Sequence, residues 1–149
     1  MRAYFAGPLF SAGELEYNRH CQREFGRYGI ELVLPQDNGF VIDGDMMLSD
    51  REYAEDTVRT VADADLKLLE SCDILIFNMD GRVPDEGACF ELGYAYGRHM
   101  RCYGLQTDVR RAEYGINNMM IERALIGRIG SGVEEVVAYI MDDAGLKPA

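Results

Sequence analysis

Short apolar runs alternate with helical segments along the whole chain, and this alternation restricts the fold more than any other feature. The runs fall at residues 2–6, 30–34, 73–77 and 101–105, and residues 127–132 leave room for a short fifth. A run such as Ile74-Leu75-Ile76-Phe77 has no polar alternation, which marks a strand covered on both faces. Helical segments are expected between the runs, at residues 12–28, 51–71, 87–99, 118–125 and 133–143. Strands and helices in this order imply parallel pairing with helices on both sides of the sheet. The expected fold class is therefore α/β, a three-layer sandwich around a central, mostly parallel sheet of about five strands, flavodoxin-like or Rossmann-like. A chain of 149 residues without a repeat or linker is one domain, residues 1–149.

Local signals fix the punctuation. Gly7-Pro8 ends the first strand, and Ser11 is placed to cap the helix that follows. That helix has an apolar stripe at Tyr17, Cys21, Phe25 and Tyr28, and Gly29 closes it. Pro35 stops the second strand. Residues 36–50 and 106–116 read as irregular stretches of the kind that carry function.

The charge balance narrows the partners. Fifteen basic and 26 acidic residues give a formal charge of -11. Such a surface repels phosphate polymers and anionic bilayers, so neither nucleic acid nor a membrane surface is an expected partner. No apolar stretch is long enough to span a bilayer, and the start, Met1 to Pro8, is too soon broken for a signal peptide. The four cysteines are scattered without metal spacing to His20 or His99, which suits reduced thiols and a cytoplasmic protein.

The segment from Pro84 to Tyr96, Pro-Asp-Glu-Gly-Ala-Cys-Phe-Glu-Leu-Gly-Tyr-Ala-Tyr, follows the 73–77 run and a polar loop. Asp85 and Glu91 thus sit just beyond the carboxyl end of a strand, where open α/β sheets place ligands. Asp85 reads first as a helix N-cap, a role compatible with binding a ligand through its second oxygen. Glu91, one turn into the helix, reads alone as a solvated glutamate; convergence with other carboxylates would reverse that. Asp65 falls in the stripe Ala54, Val58, Val61, Leu68, Cys72 of residues 51–71. A carboxylate there is paired, protonated or open to a cavity. Tyr4 reads as core, with a hydroxyl able to orient a carboxylate at the end of the sheet. Phosphate-cradle motifs and a serine nucleophile elbow are absent.

Together these segments resemble the nucleoside 2-deoxyribosyltransferase family over most of the chain. The resemblance runs through Tyr4-Phe5-Ala6-Gly7-Pro8, Pro35-Gln36-Asp37-Asn38, Ala64-Asp65-Leu66, Cys72-Asp73-Ile74-Leu75, Pro84-Asp85-Glu86-Gly87, Phe90-Glu91-Leu92-Gly93-Tyr94-Ala95 and Asn117-Asn118-Met119. It implies transfer of 2-deoxyribose between a deoxynucleoside and a free nucleobase, without metal or cofactor. It implies Glu91 as nucleophile, Tyr4 as the group that holds it, and Asp65 as the acid facing the base. Asp85 would bind a sugar hydroxyl. Asn117 would reach the 5′-hydroxyl from a neighbouring subunit, with Met119 close by, in a homo-oligomer with shared sites. Pro8-Leu9-Phe10 loosely resembles the base-lining segment, with Phe10 as a stacking platform, and Gly7 just before it is a further substrate-binding candidate.

The sequence departs from the family at Gly39, where some members carry a glutamine that reads the base. Two rival readings share the fold. One is a 2-deoxynucleoside 5′-monophosphate N-glycosidase; such enzymes tend to carry a serine near the position of Asp85, and a phosphate beside Asp85 would be repelled. The other is a non-catalytic nucleotide sensor, for which an intact Tyr4, Asp65, Asp85 and Glu91 set has no purpose.

Overall fold

The computed structural model describes residues 1–111 and 114–145. The elements in chain order are β1 (Arg2–Ala6), α1 (Ala12–Gly26), β2 (Glu31–Val33), a 3₁₀ turn (Pro35–Asp37), α2 (Gly44–Ser49), α3 (Arg51–Glu70), β3 (Ile74–Asn78), α4 (Glu86–Gly97), β4 (Arg101–Leu105), α5 (Met119–Leu125), β5 (Ile129–Gly130) and α6 (Val133–Asp143). The strands form one sheet in the order β2-β1-β3-β4-β5, every neighbouring pair parallel. This is the flavodoxin-like order, with helices on both faces. The fold class read from the sequence is the one observed.

Period-two alternation in β1 divides the core. Ala3 and Phe5 pack with Cys21 and Phe25 of α1 and Val136, Val137 and Ile140 of α6. Tyr4 and Ala6 point the other way, to Leu69 of α3, Ala88, Leu92 and Ala95 of α4, and Ile121 and Leu125 of α5. β3 is buried at all five positions, as its unbroken apolar run requires.

The chain leaves β1 to form β2 on one side of it, then crosses back to place β3 on the other. The strand ends of β1 and β3 therefore part at a topological switch point, and a crevice opens there. Gly7 lies at that parting. A Cβ on it would fall 2.7 Å from the Cβ of the buried Asn78, so only glycine admits this approach of the two strand ends.

Several expectations are corrected. α1 stops at Gly26, and Arg27 caps it with its N–H on the carbonyls of Glu24 and Phe25. Tyr28 lies past the helix, 43 % exposed, and is no part of the buried stripe. The stretch 36–50 contains α2, made possible by Asp43, whose side chain accepts the N–H of Asp45 and Met46. α3 buries only Leu69 fully; α2 packs against its first half, but Val58 turns away from that contact and is 61 % exposed. The fifth strand is just two residues long. Of the expected loop 106–116, residues 112–113 lie outside the described residues.

Candidate active site

Pro84 leads into α4, and Asp85 starts it: its Oδ2 accepts the N–H of Ala88 at 2.8 Å. Ala88, Leu92 and Ala95 then form the inward stripe. Glu91 stands three residues after Ala88 and four before Ala95, so helical geometry turns it toward the same side. The small side chains at 88 and 95 leave it room. Tyr4, wholly buried in β1, donates its hydroxyl to Glu91 Oε1 at 2.5 Å.

That contact sits on a cavity of about 440 Å³, a size that suits a small organic ligand. Asp65 of α3 and Asp85 line it with Glu91. Phe10, Phe40, Ile42 and Val61 supply much of its apolar wall, and Gly7, Gln36 and Asn38 complete a second side. Phe10 is 79 % exposed, a free ring face at the rim. No lysine, arginine or histidine lines this cavity among the described residues.

Burial of charge governs the titration here. Burial pushes Glu91 up to about 7, helped by the neighbouring Asp65 and Asp85 carboxylates and opposed by the Tyr4 hydrogen bond. Burial also raises Asp65, against a hydrogen bond from Asn38 Nδ2 to Asp65 Oδ1 of 3.3 Å. The Tyr4 phenol is pushed far above its ordinary range by burial and by Glu91, so it stays a donor. A half-buried anion under an apolar pocket, with a second carboxyl on the wall, can stabilise a cation between them and exchange a proton above it.

The structure does not bring every expected site residue together. Asn117 is 8 % exposed and lies beyond Pro84, outside this cavity. Its amide donates to Gln106 Oε1 and Glu122 Oε1, 3.0 Å each, and its Oδ1 accepts from Gln106 Nε2 at 3.1 Å. Met119, 63 % exposed at the start of α5, does not line the cavity either. Conversely Gln36, Asn38, Phe40, Ile42 and Val61 line it without having been assigned a role from sequence. The larger cavity of about 640 Å³ opens at the far end of the sheet, beside Arg101, Arg123 and Arg128. There the arginines sit by the C-terminal ends of α4, α5 and α6, where cations offset the helix dipoles. Among the described residues no group of three or more His, Cys, Asp or Glu is arranged to hold a metal ion, and no helix is long and apolar enough to cross a membrane.

The family described as nucleoside 2-deoxyribosyltransferase matches residues 3–146. The chain belongs to that family. Among solved structures, it resembles a conserved protein from Enterococcus faecalis V583, 25% identical, with a TM-score of 0.74 over 96% of this chain and 98% of that one. It also resembles a 2-deoxyribosyltransferase from Bacillus psychrosaccharolyticus, 20% identical, TM-score 0.72, covering 100% and 99% of the two chains. A CMP N-glycosidase from Clostridium botulinum shares the fold at 19% identity and a TM-score of 0.55, over 98% and 100%. No curated protein matches the chain. Family membership supports an enzyme of nucleoside deoxyribosyltransferase type acting on nucleosides and nucleobases.

Proposed function

We propose that the protein moves 2-deoxyribose from a deoxynucleoside to a second nucleobase through an ester on Glu91. The observation that carries this reading is the Tyr4–Glu91 contact at a cavity whose wall holds Asp65 and, among the described residues, no basic side chain. Tyr4 occupies Oε1 of Glu91, which leaves Oε2 to attack C1′. As the bond from C1′ to the base nitrogen stretches, positive charge grows on the sugar ring, and the carboxylate beneath stabilises it and then bonds to it. Asp65 gives its proton to the departing base, so the base leaves neutral. A second base enters the apolar half, Asp65 takes its proton, and its nitrogen displaces Glu91 from C1′. Two displacements at one carbon retain configuration. Asp85 keeps one oxygen on the Ala88 N–H and offers the other to a sugar hydroxyl.

That no basic side chain lines the cavity among the described residues supports a neutral substrate with a free 5′-hydroxyl. A 5′-phosphate would meet Asp85, Glu91 and Asp65 without a counter-charge from the cavity wall. The hydrolase reading, and with it the shared fold of the CMP N-glycosidase, is the weaker one for that reason. The apolar surface left bare on α2, α3 and α5, with Leu48 90 % and Met120 78 % exposed, supports a homo-oligomer. Asn117 belongs to this reading only as a residue offered to a neighbouring copy. Both its amide hydrogens are engaged at home, so what it has left is a lone pair on Oδ1, an acceptor for a hydroxyl.

Incubation with deoxyinosine or deoxyuridine plus free adenine tests the reaction. Deoxyadenosine is the expected product; free base without it would mean hydrolysis, and no change with any deoxynucleoside or its monophosphate would mean a sensor. Tyr4→Phe is expected to lower turnover by about ten- to hundredfold. The same change removes the one hydrogen bond that favours ionised Glu91. The acid limb of kcat/KM therefore moves to higher pH, which pH–rate profiles of the two proteins would reveal.

A further inference from the structure

Asn38 follows the 3₁₀ turn after β2 and faces Asp65 across the cavity wall. Its backbone N–H returns to the Pro35 carbonyl at 3.0 Å. Its side-chain Oδ1 accepts the N–H of Phe40 at 3.1 Å, and Gly39 between them, at φ +77°, gives the backbone the turn that this contact needs. Because an N–H donor claims Oδ1, the amide cannot be reversed, and its NH₂ end must face Asp65. The turn itself is tied to α1 by an ion pair between Arg19 and Asp37. Asn18, 4 % exposed, adds hydrogen bonds to Gln36 Oε1 at 2.9 Å and to the Pro8 carbonyl at 3.0 Å. Asn38 is thus a donor held in place, not a side chain free to follow its partner.

We infer that Asn38 is a positioning residue for the reaction: by holding Asp65 at Oδ1, it leaves Oδ2 as the oxygen that carries the proton to and from the base. The inference rests on the proposed role of Asp65 as the acid. An oxygen that already accepts a hydrogen bond is the poorer site for a proton, and Asp65 Oδ2 has no hydrogen-bond partner among the described residues. The titratable and polar groups around Asp65 are the Glu91 and Asp85 carboxyls and the Asn38 amide that line the same cavity, the Tyr4 phenol of β1 behind Glu91, and the Gln36 amide, which is engaged by Asn18 and the Leu15 carbonyl of α1. Asn38 is the one of these that hydrogen-bonds to Asp65 among the described residues, so it alone favours the ionised form, and hence release of the proton, through a direct contact. In the first half-reaction the C1′–N bond breaks, the C1′–O bond to Glu91 forms, and the proton passes from Oδ2 to the base nitrogen. The second half-reaction reverses each of these with the new base.

A leaving group that needs no proton separates positioning of the acid from a general loss of structure. Asn38→Ala is expected to slow first-turnover release of base from a purine deoxynucleoside by about ten- to hundredfold. It should slow the first-turnover burst of nitrophenolate from 4-nitrophenyl 2-deoxyriboside by less than about threefold, since that phenolate departs unprotonated. With the purine substrate, the alkaline limb of the pH profile should move upward, because Asp65 without its donor keeps its proton longer. Equal slowing of both substrates, or slowing of neither, would overturn the role given to Asn38. Asp65→Ala, run beside it, must show the same dependence on leaving group. If it does not, the failure lies with Asp65 as the acid and not with Asn38.

Discussion

Glu91→Gln should lower turnover by roughly 10⁴-fold or more while changing substrate binding by less than about tenfold. Glutamine keeps the volume and still accepts the Tyr4 hydroxyl, so the cavity survives and the nucleophile does not. The same change should stabilise the fold, in a pH-dependent way. Glu91 rises from an ordinary 4.5 to about 7 in the folded protein, so folding is favoured by its protonated form. Its contribution is complete below the unfolded value and is lost as pH rises through about 7. A shift of that size corresponds to about 3 kcal/mol. The variant should therefore melt at nearly the parent temperature at or below about pH 4 and several degrees higher above pH 8, at about 2–4 °C per kcal/mol for a chain of this length. Paired thermal melts across pH measure this. An equal difference at all pH values would mean that the carboxylate is not held in a desolvated place. In the parent enzyme, kcat/KM should rise with pH as Glu91 ionises, with its acid limb near 7.

Asp65→Asn should reduce exchange between purine deoxynucleosides by about 10²- to 10⁴-fold, the usual worth of a placed acid–base group. Asparagine cannot carry the proton, and its amide would also meet the Asn38 amide, which donates to Asp65 in the parent. The loss should appear in kcat more than in KM, because proton transfer belongs to the transition state. Steady-state rates with a purine donor and acceptor decide it. A variant retaining more than about a third of parental turnover would remove Asp65 from proton transfer.

The fold was legible because it depends on few signals. Unbroken apolar runs such as 74–77, too short for helices, read as strands covered on both faces, and the helical stretches between them dictate parallel pairing. Asp85 was legible as a cap from its place between Pro84 and Gly87. Less was readable in α3, where a stripe through Val58 promises burial. Spacing reports which residues share a face, not whether anything lies against it. On the first half of α3 it is Tyr53, Ala54 and Thr57 that are partly covered, with α2 packed alongside, while Val58 faces outward. Short α2 was hidden because Gly44 and its acidic neighbours look like a loop, although Asp43 two and three residues before Asp45 and Met46 is a cap signal.

The site divides in the same way. Tyr4, Asp65 and Glu91 stand on regular elements and Asp85 caps one, so period and position bring them to one strand-end crevice. Asn38, Phe40 and Ile42 come from the irregular stretch after β2, and only the folded chain reveals which of them face the cavity. The one available clue was Asn38 before Gly39, a pair that favours a turn with a side chain bonded to its own backbone. Asn117 and Met119 stand outside the cavity of their own chain, and the role the resemblance gives them lies in a neighbouring copy.

The central claim is that Glu91 bonds covalently to C1′. The direct measurement is the intact mass of enzyme quenched in acid within the first turnover on a deoxynucleoside without acceptor base, followed by peptide mapping. The account predicts a mass increase of one deoxyribosyl group, carried by the peptide containing Glu91, absent in Glu91→Gln and discharged when adenine is added before the quench. An enzyme that releases base yet never gains that mass, or gains it at another residue, would contradict the account.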